Sequence, residues 1–120
     1  MKIKSFLLLA LAAMFIFVSC KKEVNNPQVT FTNNALEGTA NSSGEYTITG
    51  RINSSVRLEK VFLTKEGQST PFLRDETTAK NKTEYDFSYL VTGITANTFI
   101  IIDIYNQEGG ITTQRFLIKK

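Results

Sequence analysis

The sequence predicts an all-β fold: a sandwich of about seven antiparallel strands in one small domain. Three observations carry this. From Val29 onward the chain is rich in Thr, Ile, Val, Phe and Tyr, which suit a pleated, half-buried surface. Apolar and polar residues alternate with a period of two in several runs, and no window of a dozen residues shows a 3.6-residue period. Clusters of turn-forming residues separate those runs at short intervals. At 120 residues, one domain is the ceiling.

The strands follow in order. Val29-Thr30-Phe31-Thr32 is a short first strand. Tyr46, Ile48, Gly50 and Ile52 then alternate with Thr47, Thr49, Arg51 and Asn53. Leu58 to Lys65 comes third, with Val61 and Leu63 on one side and Phe62 on the other. Phe72-Leu73 after Pro71 is a short edge strand, because proline has no N–H to give a sheet interior. Tyr85, Phe87 and Tyr89 alternate with Glu84, Asp86 and Ser88. Thr98 to Tyr105 is the most apolar strand, and Ile111 to Ile118 is the last. Turns fall at Asn41-Ser42-Ser43-Gly44, Asn53-Ser54-Ser55, Lys65-Glu66-Gly67-Gln68, Lys80-Asn81-Lys82 and Glu108-Gly109-Gly110.

The alternation also names a core. Ile48, Ile52, Val61, Leu63, Tyr85, Phe87, Tyr89, Ile100, Ile102, Ile104, Phe116 and Ile118 are expected to face between two sheets. The Tyr85, Phe87, Tyr89 stripe is also spaced like a sugar-stacking platform. The polar residues Glu84, Asp86 and Ser88 between them form the wet side, which favours core. The absence of Trp further weakens the sugar-binding alternative.

The N-terminus reads as an address. Lys2 and Lys4 form a short positive segment, and Phe6 to Val18 is an unbroken apolar run of 13 residues. A membrane-spanning helix needs roughly 20 residues, so the run has the length of a signal-peptide core. It ends in Phe17-Val18-Ser19-Cys20, which resembles the lipobox of bacterial lipoproteins. The resemblance implies cleavage before Cys20, a diacylglyceryl group on its thiol and acylation of the new amino group. Phe17 departs from the commonest pattern, which has Leu there. Cys20 is the sole cysteine, and lipidation accounts for a thiol with no partner. Several acyl chains on one residue anchor firmly.

Lys21 stands where an inner-membrane retention signal has Asp, which implies the outer membrane. Lys21-Lys22-Glu23 is faintly similar to charged runs that send lipoproteins to the cell surface, so either the periplasmic face or the surface fits. The organisation expected is a signal-peptide helix over 1–19, a lipidated cysteine and polar tether over 20–28, and a sandwich over 29–120.

Within the sandwich, Tyr46 to Ile52, Leu58 to Leu63, Phe99 to Tyr105, Gly109-Gly110 and Phe116-Leu117-Ile118 together resemble a bacterial immunoglobulin-like domain. The resemblance implies an immunoglobulin-like or fibronectin-III-like sandwich, without the paired cysteines and core Trp of antibody domains. Such domains occur in secreted and surface proteins of Gram-negative bacteria, often attached to carbohydrate-active enzymes. No function follows from the fold itself.

Composition excludes much chemistry. There is no His, and hence no imidazole base or His-based metal site, and one cysteine permits neither a disulfide nor a zinc cluster. The net charge of +3 falls to +1 without Lys2 and Lys4, so charge gives no ground for nucleic-acid binding. Asp75, Glu76, Glu84, Asp86 and Asp103 have no framing motif for glycoside hydrolysis and read as solvated surface charge. Asp75-Glu76 and Asn106-Gln107-Glu108 supply oxygens without a recognised calcium spacing. Glu108-Gly109-Gly110 reads as a hairpin connection, and the Asn-x-Ser/Thr triplets at Asn41, Asn53 and Asn81 as turns. The expectation is a non-catalytic protein with no cofactor.

One surface stands out. If Ile100, Ile102 and Ile104 point inward, Phe99, Ile101, Asp103 and Tyr105 point outward. The last hairpin would pair Tyr105 with Ile111, Asp103 with Thr113, Ile101 with Arg115 and Phe99 with Leu117, with an Asp103–Arg115 ion pair across it. Phe62, Phe99, Ile101, Tyr105 and Leu117 would then form an apolar patch, either covered by Asn33 to Ala40 or open for a partner or a second copy. The function expected is a lipid-anchored envelope module for binding or scaffolding. The alternative is a carbohydrate-binding accessory lipoprotein of a glycan-uptake system.

Overall fold

The structure, a computed structural model, describes residues 25–120; the segment read as a signal peptide and Cys20 lie outside the described residues. Eight strands form two sheets. They are β1 (Gln28–Phe31), β2 (Glu37–Thr39), β3 (Tyr46–Asn53), β4 (Leu58–Lys65), β5 (Leu73–Asp75), β6 (Glu84–Val91), β7 (Thr98–Asn106) and β8 (Ile111–Lys119). One sheet has the order β1-β3-β6 and the other β2-β8-β7-β4-β5. Every pairing is antiparallel except β2 with β8, which is parallel. The described residues thus form an all-β sandwich.

The core lies between the sheets, and the period-two pattern builds it. Ile48 and Ile52 of β3, Phe87 and Tyr89 of β6, Val61 and Leu63 of β4, Ile100, Ile102 and Ile104 of β7, and Phe116 and Ile118 of β8 are all buried. Tyr85 departs from the expectation. It is half-buried and packs against the margin of the core, with Lys82 over its ring at 4.7 Å and Thr78 Oγ1 3.0 Å from its hydroxyl. It lies opposite Ile52 near the start of an edge strand, where a phenol can reach polar partners.

Other core members escape strict alternation. Leu58 is fully buried because β4 carries a bulge between Leu58 and Lys60, which turns Leu58 to the same side as Val61 and Leu63. Phe31, Ala79, Val91 and Ile94 complete the interior. Phe31, Phe87 and Phe116 meet near the centre, with ring centroids 6.2 Å and 5.2 Å apart along the chain of contacts.

The β7–β8 hairpin has the register expected: Tyr105 opposite Ile111, Asp103 opposite Thr113, Ile101 opposite Arg115 and Phe99 opposite Leu117. Asn106 builds its turn. The buried amide oxygen accepts from the N–H of Glu108 at 3.0 Å and of Gly110 at 2.7 Å, and Gly109 takes the left-handed φ of +85°. The same side chain donates to the carbonyl of Asn25 at 2.7 Å, and Thr112 donates to the carbonyl of the fully buried Pro27. The segment read as tether therefore joins the sandwich at Asn25, beside this hairpin.

Asn33 to Ala40 does not cover the outer face of the larger sheet. Its β2 extends that sheet at the edge, and Gly38 makes this possible. The ring of Tyr46 lies where a Gly38 side chain would project.

Candidate interaction surface

The two outer faces differ in chemistry. On the three-stranded sheet the outward residues are Gln28, Thr30, Thr47, Thr49, Arg51, Asn53, Glu84, Asp86, Ser88 and, opposite Thr47, Leu90, all exposed. Arg51 bridges Glu84 at 2.8 Å and Asp86 at 3.6 Å, and Thr32 and Thr49 share a hydrogen bond of 2.8 Å. This face is polar apart from Leu90, a single exposed apolar side chain at the end of β6.

The five-stranded sheet presents rows of apolar and charged residues. Register places Lys60 beside Tyr105 and Ile111, then Arg74 beside Phe62, Asp103 and Thr113. The next rows are Thr64, Ile101 and Arg115, and then Phe99, Leu117 and Glu37. All five patch residues named from the sequence lie on this face. Phe62, Ile101, Tyr105 and Leu117 are half-buried, and Phe99 is 36% exposed. Ile111, 49% exposed, extends the patch at the end near the N-terminal segment.

The patch is not bare. Lys60 Nζ lies 4.9 Å from the ring centre of Phe62 and 4.8 Å from that of Tyr105, the two rings meeting edge-on at 5.6 Å. The Arg74 guanidinium lies 5.1 Å from the Phe62 ring and that of Arg115 lies 4.1 Å from the Phe99 ring. Each such contact is worth about 0.5–1 kcal/mol at an exposed site. The aliphatic stems cover apolar surface while their charges reach water. The result is an aromatic face studded with cations.

The expected Asp103–Arg115 ion pair does not form. Asp103 accepts from the Thr113 hydroxyl at 2.7 Å, and Arg115 instead pairs with Glu66, in the turn that follows β4. Lys119 pairs with Glu37 at 2.9 Å. Among the described residues, Lys60 and Arg74 have no carboxylate within 4.0 Å. Sequence reasoning missed both. Lys60 sits two residues before Phe62, a spacing that puts them on one face, but Arg74 joins them only through the β4–β5 pairing.

The acidic candidates resolve differently from the expectation of solvated charge in one case. Asp75 is 7% exposed. One of its oxygens accepts from the N–H of Thr77 at 3.2 Å, Thr78 at 2.9 Å and Ala79 at 3.4 Å. The other accepts from the Thr78 hydroxyl at 2.5 Å and the Tyr89 hydroxyl at 2.7 Å. Burial pushes this carboxyl upward, but the hydrogen bonds from Thr78, Tyr89 and the backbone hold it below the usual carboxylate range. Burial, then the bond to Asp75 and its charge, pushes the Tyr89 phenol well above its ordinary value. Asp75 is thus a structural acceptor that ties a loop to a strand. Glu76 is exposed, and Glu84 and Asp86 belong to the Arg51 bridge.

Both oxygen sources considered for calcium are engaged in turns: Asp75 in the loop after β5 and Asn106 in the last hairpin. Among the described residues no three acidic, His or Cys side chains converge on one point. An open, polar cleft of about 530 Å³ lies at the N-terminal end between Asn25–Gln28, Asn53–Ser55 and Thr83–Glu84. Among the described residues no helix is long and apolar enough to cross a membrane.

No protein-family model and no curated protein matches the sequence. Among solved structures, the fibronectin(III)-like modules of Clostridium thermocellum CbhA align at a TM-score of 0.55 and 18% identity. That alignment covers 82% of this chain and 48% of the other, so the chain spans about half the length of the structure it resembles. A superoxide reductase (neelaredoxin) from Ignicoccus hospitalis aligns at a TM-score of 0.46 and 15% identity, over 82% of each chain, too weakly to carry a likeness. The fold is an immunoglobulin-like, fibronectin-III-like sandwich.

Proposed function

We propose that this protein is a non-catalytic, lipid-anchored module of the bacterial cell envelope that docks another envelope protein on the outer face of its five-stranded sheet. The lipobox-like Phe17-Val18-Ser19-Cys20 after a 13-residue apolar run supports the anchor and, with Lys21, an outer-membrane address. The observation that carries the docking reading is the contrast between the two outer faces. One is Thr- and Ser-rich with its charges bridged and a lone apolar residue, Leu90; the other gathers Phe62, Tyr105, Ile101, Phe99 and Leu117 in adjoining rows. A sheet face that needs only water resembles the first.

A glycan-binding role draws less support from the same face. Sugars stack on open ring faces, whereas Phe62, Tyr105 and Phe99 have cations over their rings.

The test is photo-cross-linking in intact cells. A photoreactive residue at Ile101 should cross-link to a discrete protein, and the same probe at Thr49 on the opposite face should not. Equal yields from both positions, or none from Ile101, would count against the docking face.

A further inference from the structure

We infer that the docking face takes an acidic segment of the partner protein, whose carboxylates are received by Lys60 and Arg74 on either side of Phe62. This rests on the docking-face reading above and adds the chemistry of the occupant. The first support is charge. Among the described residues, the other cations on the outward rows have acidic partners: Arg115 has Glu66 and Lys119 has Glu37. Lys60 and Arg74 have none, yet both are held close to the same ring. Two cations drawn to one aromatic side chain, neither with a carboxylate within 4.0 Å, outnumber the one acid of their row, Asp103, which bonds Thr113 instead.

The second support is preorganisation. A long cationic side chain normally loses rotamer freedom when a ligand fixes it, which weakens binding. Here the Phe62 and Tyr105 rings already hold the Lys60 ammonium, and Phe62 holds the Arg74 guanidinium. Arg74 offers the planar fork that matches a carboxylate in two parallel hydrogen bonds, and Lys60 a point charge. Asp103, directly opposite Phe62 on β7, repels an anion from the middle of the sheet and steers it toward the β4–β5 side. A carboxylate on a protein chain fits better than one on a sugar, because the exposed neighbours Ile111 and Phe99 offer apolar contact to side chains while the cation-covered rings are poor stacking surfaces.

The test uses the full chain extracted from membranes in detergent, with a fluorescein-labelled hexapeptide of four glutamates and two leucines as probe. The peptide should bind and its lysine counterpart should not, with affinity falling as salt rises. The Lys60→Gln/Arg74→Gln double variant should bind it at least about tenfold more weakly while melting like wild type. Lys80→Gln, which removes a cation paired with Glu59 elsewhere, should bind unchanged. Hexagalacturonate or phosphatidylglycerol vesicles displacing the peptide at equal concentration would overturn the inference in favour of an anionic glycan or lipid. Self-association that the double variant abolishes would overturn it in favour of a second copy, and undiminished peptide binding by that variant would overturn the clamp itself. The Ile101 cross-link separates the two levels. Its persistence at full yield in the double variant overturns the acidic-segment inference and leaves the docking face standing, whereas its absence in wild type removes both.

Discussion

Tyr89 donates its phenolic proton to the carboxylate of Asp75 at 2.7 Å, joining the three-stranded sheet to the edge of the five-stranded one. Both residues are 7% exposed, so water has little access to the bond. Hydrogen bonds to a buried charge are worth about 1.5–3 kcal/mol, and Tyr89→Phe is expected to lose stability in that range by denaturant unfolding. The pH dependence has a definite sign. Because the folded Asp75 carboxyl lies below its ordinary value, its contribution is present above the unfolded-state pKa and is lost as pH falls through the folded one. Asp75→Asn is therefore expected to be less stable at neutral pH and to lose less on acidification than wild type. Parallel pH–stability curves for the two would contradict this role.

Ile102 lies in the middle of β7, is 1% exposed and is flanked in register by Leu63 and Gln114. Truncation to Ala is expected to cost about 2–5 kcal/mol. In a domain whose total stability is on the order of 5–15 kcal/mol, that is a large loss. Wild-type-like melting of Ile102→Ala would contradict the core assignment.

Gly38→Ala tests the parallel edge strand. Its new methyl would overlap the Tyr46 ring, which stacks on Phe116 with centroids 5.5 Å apart. Overpacking of this kind costs about 1–3 kcal/mol. Hydrogen exchange should speed up at the amides of Ala40 and Leu117, which bond the carbonyls of Lys119 and Leu36, more than at Ile48. Unchanged exchange at Ala40 and Leu117 would show that β2 docks without needing Gly38.

The strongly alternating runs β3, β4, β6, β7 and β8 were legible because a period of two fixes both strand and inward face. Glu37-Gly38-Thr39 was not, since three residues without alternation pair in parallel with a strand some eighty positions later. Leu58 was missed because the bulge after it breaks the period on which face assignment depends. The burial of Asp75 depends on Tyr89, 14 residues away on the other sheet, which local pattern cannot supply. Of the apolar members of the proposed docking face, Phe99, Ile101, Tyr105 and Leu117 could be named from the hairpin register and Phe62 from the strand order of an immunoglobulin-like topology. The cations that cover them could not, because Arg74 reaches Phe62 only across the β4–β5 pairing and Arg115 follows Glu66 from a turn.

Cys20→Ala tests the anchor. The variant is expected to remain unprocessed or to leave the membrane fraction, whereas wild type, if acylated as proposed, is expected to stay there. Mass spectrometry of the mature wild-type N-terminus should find a lipid-modified cysteine. An unmodified Cys20 at that terminus would contradict the lipoprotein reading.

The docking face is tested most directly by Ile101→Lys. Ile101 sits between Thr64 and Arg115 on the outer side of β7 and contributes nothing to the buried core. Ile101 is half-buried, so the substitution should lower unfolding free energy by about 1 kcal/mol, well short of the loss at a core position such as Ile102. It also removes the central apolar contact and puts in its place a charge that docking would have to strip of water, a cost that carboxylates held at Lys60 and Arg74 do not offset. With a photoreactive residue at Leu117 to report capture in intact cells, the account predicts a cooperative melting curve close to that of wild type and loss of the cross-linked partner. Such a melting curve with capture at full strength would contradict it.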